Sequence, residues 1–205
     1  RGALAALSVG IPQFMLSSTL PVRFALEFFG RDGLYDGDVL IADGRIVAVG
    51  DAASDWSATR IDCGGCLVVP GNVCAHTHVY SALARGMPFR LEPPENFVEI
   101  LQRVWWRLDR ALDEGSVRAS ALVGGMEALL AGTTTLVDHH ASPSAIDGSL
   151  DVIADAFESL GLRSVLCYEV TDRDGPERAA AGVEESRRFL AREPRPLVRD
   201  VDPLD

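Results

Sequence analysis

Apolar and polar residues alternate in short runs along residues 37–70, a pattern typical of β-strands. Two β-branched runs within 38–50 are joined by an Asp-Gly pair, a dipeptide that favours the backbone of a tight hairpin turn. A third strand is predicted to begin at 60–62 and to lead through Gly64-Gly65 into 67–69. Residues 37–70 therefore predict a small β unit.

After Pro70 the pattern changes, and short apolar runs alternate with segments whose apolar residues recur every three or four positions. Strands that alternate with helices form right-handed βαβ units and a parallel sheet. Residues 71–205 provide about half the length of a (β/α)8 TIM barrel, so an α/β fold is predicted, a partial barrel containing the first three to four βα units. The predicted strands are 71–78, 133–140, 163–170 and 196–199, and the predicted helices are 97–112, 116–130, 150–160 and 176–192.

Composition narrows the possible functions. The chain of 205 residues has 19 basic and 30 acidic side chains and a formal net charge of −11, and every basic residue is arginine. The acidic balance argues against nucleic-acid binding, and the absence of lysine excludes a Schiff-base lysine within this sequence. No run of 18 apolar residues occurs, so no membrane span is predicted.

The four cysteines are too few for a disulfide framework, and this favours a reducing, cytoplasmic setting. The spacing Cys63-Gly-Gly-Cys66 has no second cysteine pair to complete a zinc site, and it is interpreted as a glycine turn.

All four histidines lie at predicted strand ends, and His76-Thr-His78 ends the first strand of the alternating region. Side chains two residues apart on a strand point to the same face, so these two imidazoles lie side by side. Imidazole is a preferred zinc ligand, and barrel active sites form at the carboxyl ends of the strands. His76 and His78 are therefore candidate metal ligands, the alternative being two histidines that bind no metal.

These motifs resemble a known family. The segment from Val69 to His78 contains Pro-Gly-x(4)-His-x-His, which resembles the signature of the amidohydrolase superfamily. Residues 38–50 and 61–65 resemble part of its N-terminal β-sandwich, and residues 132–139 resemble the second barrel strand of its deaminase and chlorohydrolase branch. Within that branch the likeness is to the SsnA-type aminohydrolases. It is carried by residues 105–114, 138–143, 148–150, 155–157, 161–163 and 169–173.

The resemblance implies metal-dependent hydrolysis of a carbon–nitrogen bond outside peptides. His76 and His78 match the first two metal ligands of the family, and the metal would be Zn²⁺, or Fe²⁺ as in some relatives. Metal-bound hydroxide would attack a ring carbon of a small nitrogen heterocycle and release an amino group. The parent protein is expected to be a homo-oligomer.

Two alternatives remain open at this point. One is a cyclic-amide hydrolase of the dihydropyrimidinase type, whose two metals are bridged by a carboxylated lysine that this sequence does not contain. The other is an inactive remnant that binds metal only in part.

Further candidate residues end the second predicted barrel strand. Asp138 either orients a ligand histidine or accepts a hydrogen bond from the backbone. His139 and His140 point to opposite faces of the strand, so at most one of them faces the barrel mouth and contacts substrate.

The remaining candidates are an aromatic residue and a carboxylate. Trp105 and Trp106 are adjacent on a helix, and either both pack in the core or Trp106 stacks on a flat substrate ring. Glu169 either contacts substrate or forms a salt bridge with Arg173.

The ends of the sequence fit the family less well. Residues 1–36 receive no interpretation, and the sequence after Arg192 does not lead into a recognisable fourth strand and loop. The remaining family ligands belong to later strands, so the chain is expected to be an N-terminal fragment and to be inactive alone. A partial barrel is also expected to leave the helix face of Leu150, Ile153 and Phe157 partly uncovered.

Overall fold

The computed structural model describes residues 22–30, 33–42, 45–50, 59–88, 90–193 and 195–200. The chain divides into two compact units. Of the described residues, the first contains those up to Asn72 together with Leu129–Thr134, and the second contains Val73–Ala128 and those from Thr135 onward.

The first unit is built on a four-stranded sheet with the strand order β3-β2-β1-β4. Strand β1 pairs antiparallel with β2 and parallel with β4, and β2 pairs antiparallel with β3. The β2–β3 pair confirms the predicted hairpin, and the buried Val39 and Leu40 lie on its longer strand. The four strands are β1 (Val22–Gly30), β2 (Gly33–Ala42), β3 (Arg45–Val49) and β4 (Thr59–Val68).

This sheet differs from the sequence analysis in two places. Strand β1 lies within residues 1–36, which the sequence analysis left without interpretation. Strand β4 continues through Gly64-Gly65, where the spacing Cys63-Gly-Gly-Cys66 was interpreted as a glycine turn. Its pairing with β1 jumps from Ala25–Asp62 to Glu27–Leu67, so the glycine pair lies in an irregularity of one strand. Pairing with β1 on both sides of the glycines keeps the strand continuous.

The second sheet is the parallel sheet of the alternating region, with the order β5-β6-β7-β8. Strands β6, β7 and β8 pair in parallel, and all four strands form close to their predicted positions. As far as the structure describes the chain, the sheet is open. Its strands are β5 (Asn72–Thr77), β6 (Thr133–His140), β7 (Arg163–Tyr168) and β8 (Val198–Asp200).

Helices connect these strands, and the described helices include none that is both long and apolar enough to cross a membrane. The predicted helix over 97–112 is not uniform, because Leu101–Trp105 form a wide π-helical turn between two short α-helices. Such turns insert an extra residue and are frequent at functional sites. The α-helices are α1 (Phe97–Ile100), α2 (Trp106–Arg110), α3 (Glu114–Leu130), α4 (Ser149–Ser159) and α5 (Pro176–Leu190), and a 3₁₀ helix covers Val79–Ala84.

The core of the second unit lies where α4 and α5 pack on β7. The helix face of Leu150, Ile153 and Phe157 is fully buried, so the expectation that it would be uncovered is wrong. The buried carboxylate of Glu185 on α5 accepts hydrogen bonds from the backbone N–H groups of Gly148 and Leu150. These N–H groups begin α4 and have no partner within the helix, so Glu185 joins the two helices at that point.

Candidate functional site

A cavity of about 410 Å³ opens at the carboxyl ends of β5 and β6. Its volume lies in the range of small-molecule sites. The candidates His76, His78, His139, Trp106 and Glu169 line it. Residues that the sequence analysis did not propose, including Tyr80 and Asp109, also line it.

His76 and His78 lie at the end of β5 with their ring centres 5.0 Å apart and their planes 88° apart. For comparison, zinc–nitrogen bonds of about 2.0–2.1 Å at a tetrahedral angle place two ligand ring centres about 5 Å apart. The observed pair therefore fits two ligands of one divalent metal.

The hydrogen bonding of His78 also suits a metal ligand. Its Nδ1 lies 2.7 Å from the backbone carbonyl oxygen of His139. A carbonyl can only accept, so Nδ1 carries a proton and Nε2 is the nitrogen whose lone pair can reach a metal. A ring fixed in this way by a backbone carbonyl is the usual arrangement for a metal-binding histidine. Among the described residues, no group of three His, Cys, Asp or Glu side chains converges as a metal site.

His139 and His140 point in opposite directions, as alternation along β6 requires. The His139 ring lies 5.5 Å from the His78 ring and faces the cavity, and burial lowers its pKa. His140 is fully buried on the other face, where its Nε2 lies 2.9 Å from the Ser142 hydroxyl. Burial lowers the pKa of His140 to about 3, so the ring is neutral, and it does not line the cavity.

Asp138 is a fully buried carboxylate beneath the site. Its Oδ1 accepts a hydrogen bond from the Val79 backbone N–H at 2.8 Å, and burial raises its pKa to about 7. Its Oδ2 has no hydrogen-bond partner among the described residues. Of the two alternatives, the structure shows the backbone contact, which holds the segment directly after His78.

The two adjacent tryptophans both line the cavity, so the alternative in which both pack in the core does not hold. The π-helical turn ends at Trp105, and Trp106 follows it directly. Trp105 meets Tyr80 edge-on at 6.4 Å between ring centres. The guanidinium of Arg173 lies 5.4 Å from the centre of the Trp106 ring, within the range of a cation–π contact.

An ion-pair network borders the cavity beside Trp106. Arg173 Nη2 donates to Asp109 Oδ2 at 2.7 Å and to Glu169 Oε2 at 2.8 Å. The structure therefore shows Glu169 both in a salt bridge and at the cavity wall. Sequence analysis missed Asp109 because its partner Arg173 is 64 residues away, and no local pattern marks such a pair.

Comparisons with known proteins find several similar sequences. A model of the amidohydrolase family matches residues 67–201. A 5′-deoxyadenosine deaminase of Methanothermobacter thermautotrophicus is 33% identical over 165 residues, which cover 80% of this chain and 36% of that protein. An 8-oxoguanine deaminase of Pseudomonas aeruginosa is 30% identical over 187 residues, covering 87% of this chain and 41% of that protein.

A solved structure also shares the fold. The atrazine chlorohydrolase of Arthrobacter aurescens, crystallised with zinc, superposes with a TM-score of 0.60 at 23% identity, covering 89% of this chain and 46% of that one. The chain thus spans less than half the length of each of these relatives.

Proposed function

Because the chain belongs to the amidohydrolase family, we propose that it forms part of the active site of a metal-dependent hydrolase that deaminates a flat nitrogen heterocycle. Its parallel sheet is then the first part of a (β/α)8 barrel, with the cavity at the mouth. The two curated relatives are deaminases by name, and this supports cleavage of a carbon–nitrogen bond.

The observation that carries the proposal is the geometry of His76 and His78. Their rings are spaced for one metal, and the carbonyl of His139 leaves Nε2 of His78 available as a ligand. The zinc bound to the chlorohydrolase of similar fold supports Zn²⁺ as the metal. When bound, such a metal lowers the pKa of water and polarises the bond that is attacked.

The remaining residues of the cavity bind and orient. Trp106 offers an indole ring to a planar substrate, and Trp105 and Tyr80 close the apolar side of the cavity. Burial and the nearby carboxylates raise the pKa of Tyr80, so its hydroxyl stays protonated at neutral pH. Asp138 holds the backbone at Val79 and thereby the direction of His78.

Metal binding by the chain tests the proposal directly. Co²⁺ bound through imidazole nitrogen gives visible absorption bands, so titration of the chain with Co²⁺ reports the site. We expect one equivalent to bind, and His76→Ala and His78→Ala each to weaken binding at least about tenfold. Glu184→Gln is the control, because Glu184 is an exposed carboxylate on α5, away from the cavity. Unchanged affinity in both histidine variants would refute the proposed site.

Ammonia release is the complementary measurement. A catalytic zinc usually has at least three protein ligands, and the described residues bring two together. We therefore expect the Zn²⁺-loaded chain to release no ammonia from purines, pterins or triazines. Turnover that His76→Ala abolishes would show that the chain assembles a complete site, and the ligand count would then be wrong.

A further inference from the structure

We infer that Glu169 is a specificity-determining residue, whose carboxylate accepts hydrogen bonds from N–H donors on the ring edge of the substrate. The inference rests on the proposed function, since it concerns the same cavity. Glu169 follows strand β7, and its backbone N–H donates to the carbonyl of His140 at 2.7 Å, which fixes the start of its side chain beside β6.

A salt bridge with Arg173 also holds the carboxylate of Glu169 in place. Arg173 contacts one of its oxygens at 2.8 Å and is itself held by Asp109 through contacts at 2.7 and 3.3 Å. The side chain of Arg173 is 8% exposed and that of Asp109 is 1% exposed, so solvent does not loosen this support. Glu169 is 26% exposed, and its open side is the cavity wall.

The cavity wall formed by Asp109 and Glu169 carries more negative than positive charge. Two carboxylates, Asp109 and Glu169, contact the single guanidinium of Arg173, and a third, Asp174, lies 3.8 Å from it while pairing with Arg110. An ionised carboxylate accepts at about four sites and donates at none. Arg173 occupies one oxygen of Glu169, and the acceptor capacity that remains suits a ligand with N–H groups.

This chemistry distinguishes between heterocycles. A 2-amino-6-oxopurine presents two adjacent donors, the N1–H and the 2-amino group, on one edge. A 6-aminopurine carries an acceptor at N1, which would face the carboxylate unfavourably. A site built to hydrogen-bond a substrate group discriminates strongly against an analogue that lacks it, because the buried partner is then left unpaired. The predicted substrate class is therefore heterocycles with the donor edge.

Calorimetric titration of the Zn²⁺-loaded chain tests this with three probes. Guanosine presents the donor edge, 1-methylguanosine lacks the N1–H, and 2′,3′-dideoxyguanosine keeps the edge but lacks the ribose hydroxyls that a carboxylate could also bind. We expect guanosine and the dideoxy probe to bind alike, and 1-methylguanosine to bind at least about tenfold more weakly. Glu169→Gln should weaken guanosine binding by a similar factor and reduce the difference in affinity between guanosine and 1-methylguanosine. Glu184→Gln should change neither the guanosine affinity nor that difference.

The outcomes separate this inference from the proposed function. The role of Glu169 is supported if Glu169→Gln still binds Co²⁺ but no longer distinguishes guanosine from 1-methylguanosine. Equal binding of guanosine by Glu169→Gln and the unsubstituted chain overturns it, and so does failure of every probe to bind. Weak binding of the dideoxy probe alone also overturns it, because Glu169 would then bind the ribose. The Co²⁺ titration tests the proposed function separately, and Co²⁺ affinity that neither His76→Ala nor His78→Ala weakens would refute that function instead.

Discussion

Replacing Arg173 by methionine should destabilise the second unit strongly. The substitution keeps an apolar side chain of similar length against Trp106 but removes the guanidinium that contacts Asp109 and Glu169. Asp109 is 1% exposed, so its carboxylate would be left buried without its cation.

The magnitude follows from burial. Removing one partner of a buried ion pair costs about 3–5 kcal/mol of the free energy of unfolding, whereas an exposed pair costs about 0–1 kcal/mol. Burial already raises the pKa of Asp109, and Arg173 opposes that shift. Without Arg173 the carboxyl would take up a proton more readily, which limits the loss. Glu169 is partly exposed and can be solvated, so the loss of its contact with Arg173 contributes little to the change in the free energy of unfolding. We expect Arg173→Met to cost about 3 kcal/mol.

Urea unfolding at pH 7, followed by far-ultraviolet circular dichroism, measures the change. Arg187→Met is the matched control, because Arg187 is exposed on α5, and it should stay within about 0.5 kcal/mol of the unsubstituted chain. Adding Asp109→Asn to Arg173→Met removes the unpaired charge and should restore at least about 1 kcal/mol. A loss below about 1 kcal/mol for Arg173→Met, or a double variant no more stable than the single one, would show that the pair behaves as a solvated surface pair.

Three further predictions concern pH, packing and metal. Between about pH 4 and 6.5, acidification removes stability through His140, whose folded-state pKa is depressed, and adds stability through Asp138, whose folded-state pKa is raised. Asp138→Asn abolishes the second effect. Urea unfolding of this variant should therefore show that the free energy of unfolding falls by about 1.4 kcal/mol for each pH unit of acidification over that range. The same pH dependence in the variant and the unsubstituted chain would contradict this. Gly182→Ala should cost about 1–3 kcal/mol in the same assay, because the added Cβ would lie 2.9 Å from the Glu169 carbonyl oxygen. Gly115→Ala should be neutral or stabilising, because its Cβ would make only an ordinary contact of 3.6 Å with Asp113 Oδ1. Zn²⁺ at a hundredfold excess over its dissociation constant should raise the melting temperature by about 5–10 °C, and His76→Ala should remove that shift; a shift retained in the variant would place the metal elsewhere.

The local parts of this protein could be predicted from its sequence. The β2–β3 hairpin, the four strands of the parallel sheet and the helices α3, α4 and α5 all form within a few residues of their predicted positions. Their signals are short-range, namely an Asp-Gly turn, the period of apolar residues and glycines at helix ends. The side-by-side placement of His76 and His78 is also local, because it follows from two residues at the end of one strand.

Tertiary structure alone decided the rest. Strand β4 is continuous through its glycines because β1 pairs with it, and no local pattern reveals that partner. Both tryptophans line the cavity, although their spacing alone left open whether both pack in the core. Asp109 reaches Arg173 across 64 residues, because ion pairs form between elements that folding brings together. Spacing along the chain therefore determines which residues share a strand or helix face, and packing between elements determines which of those faces form the site.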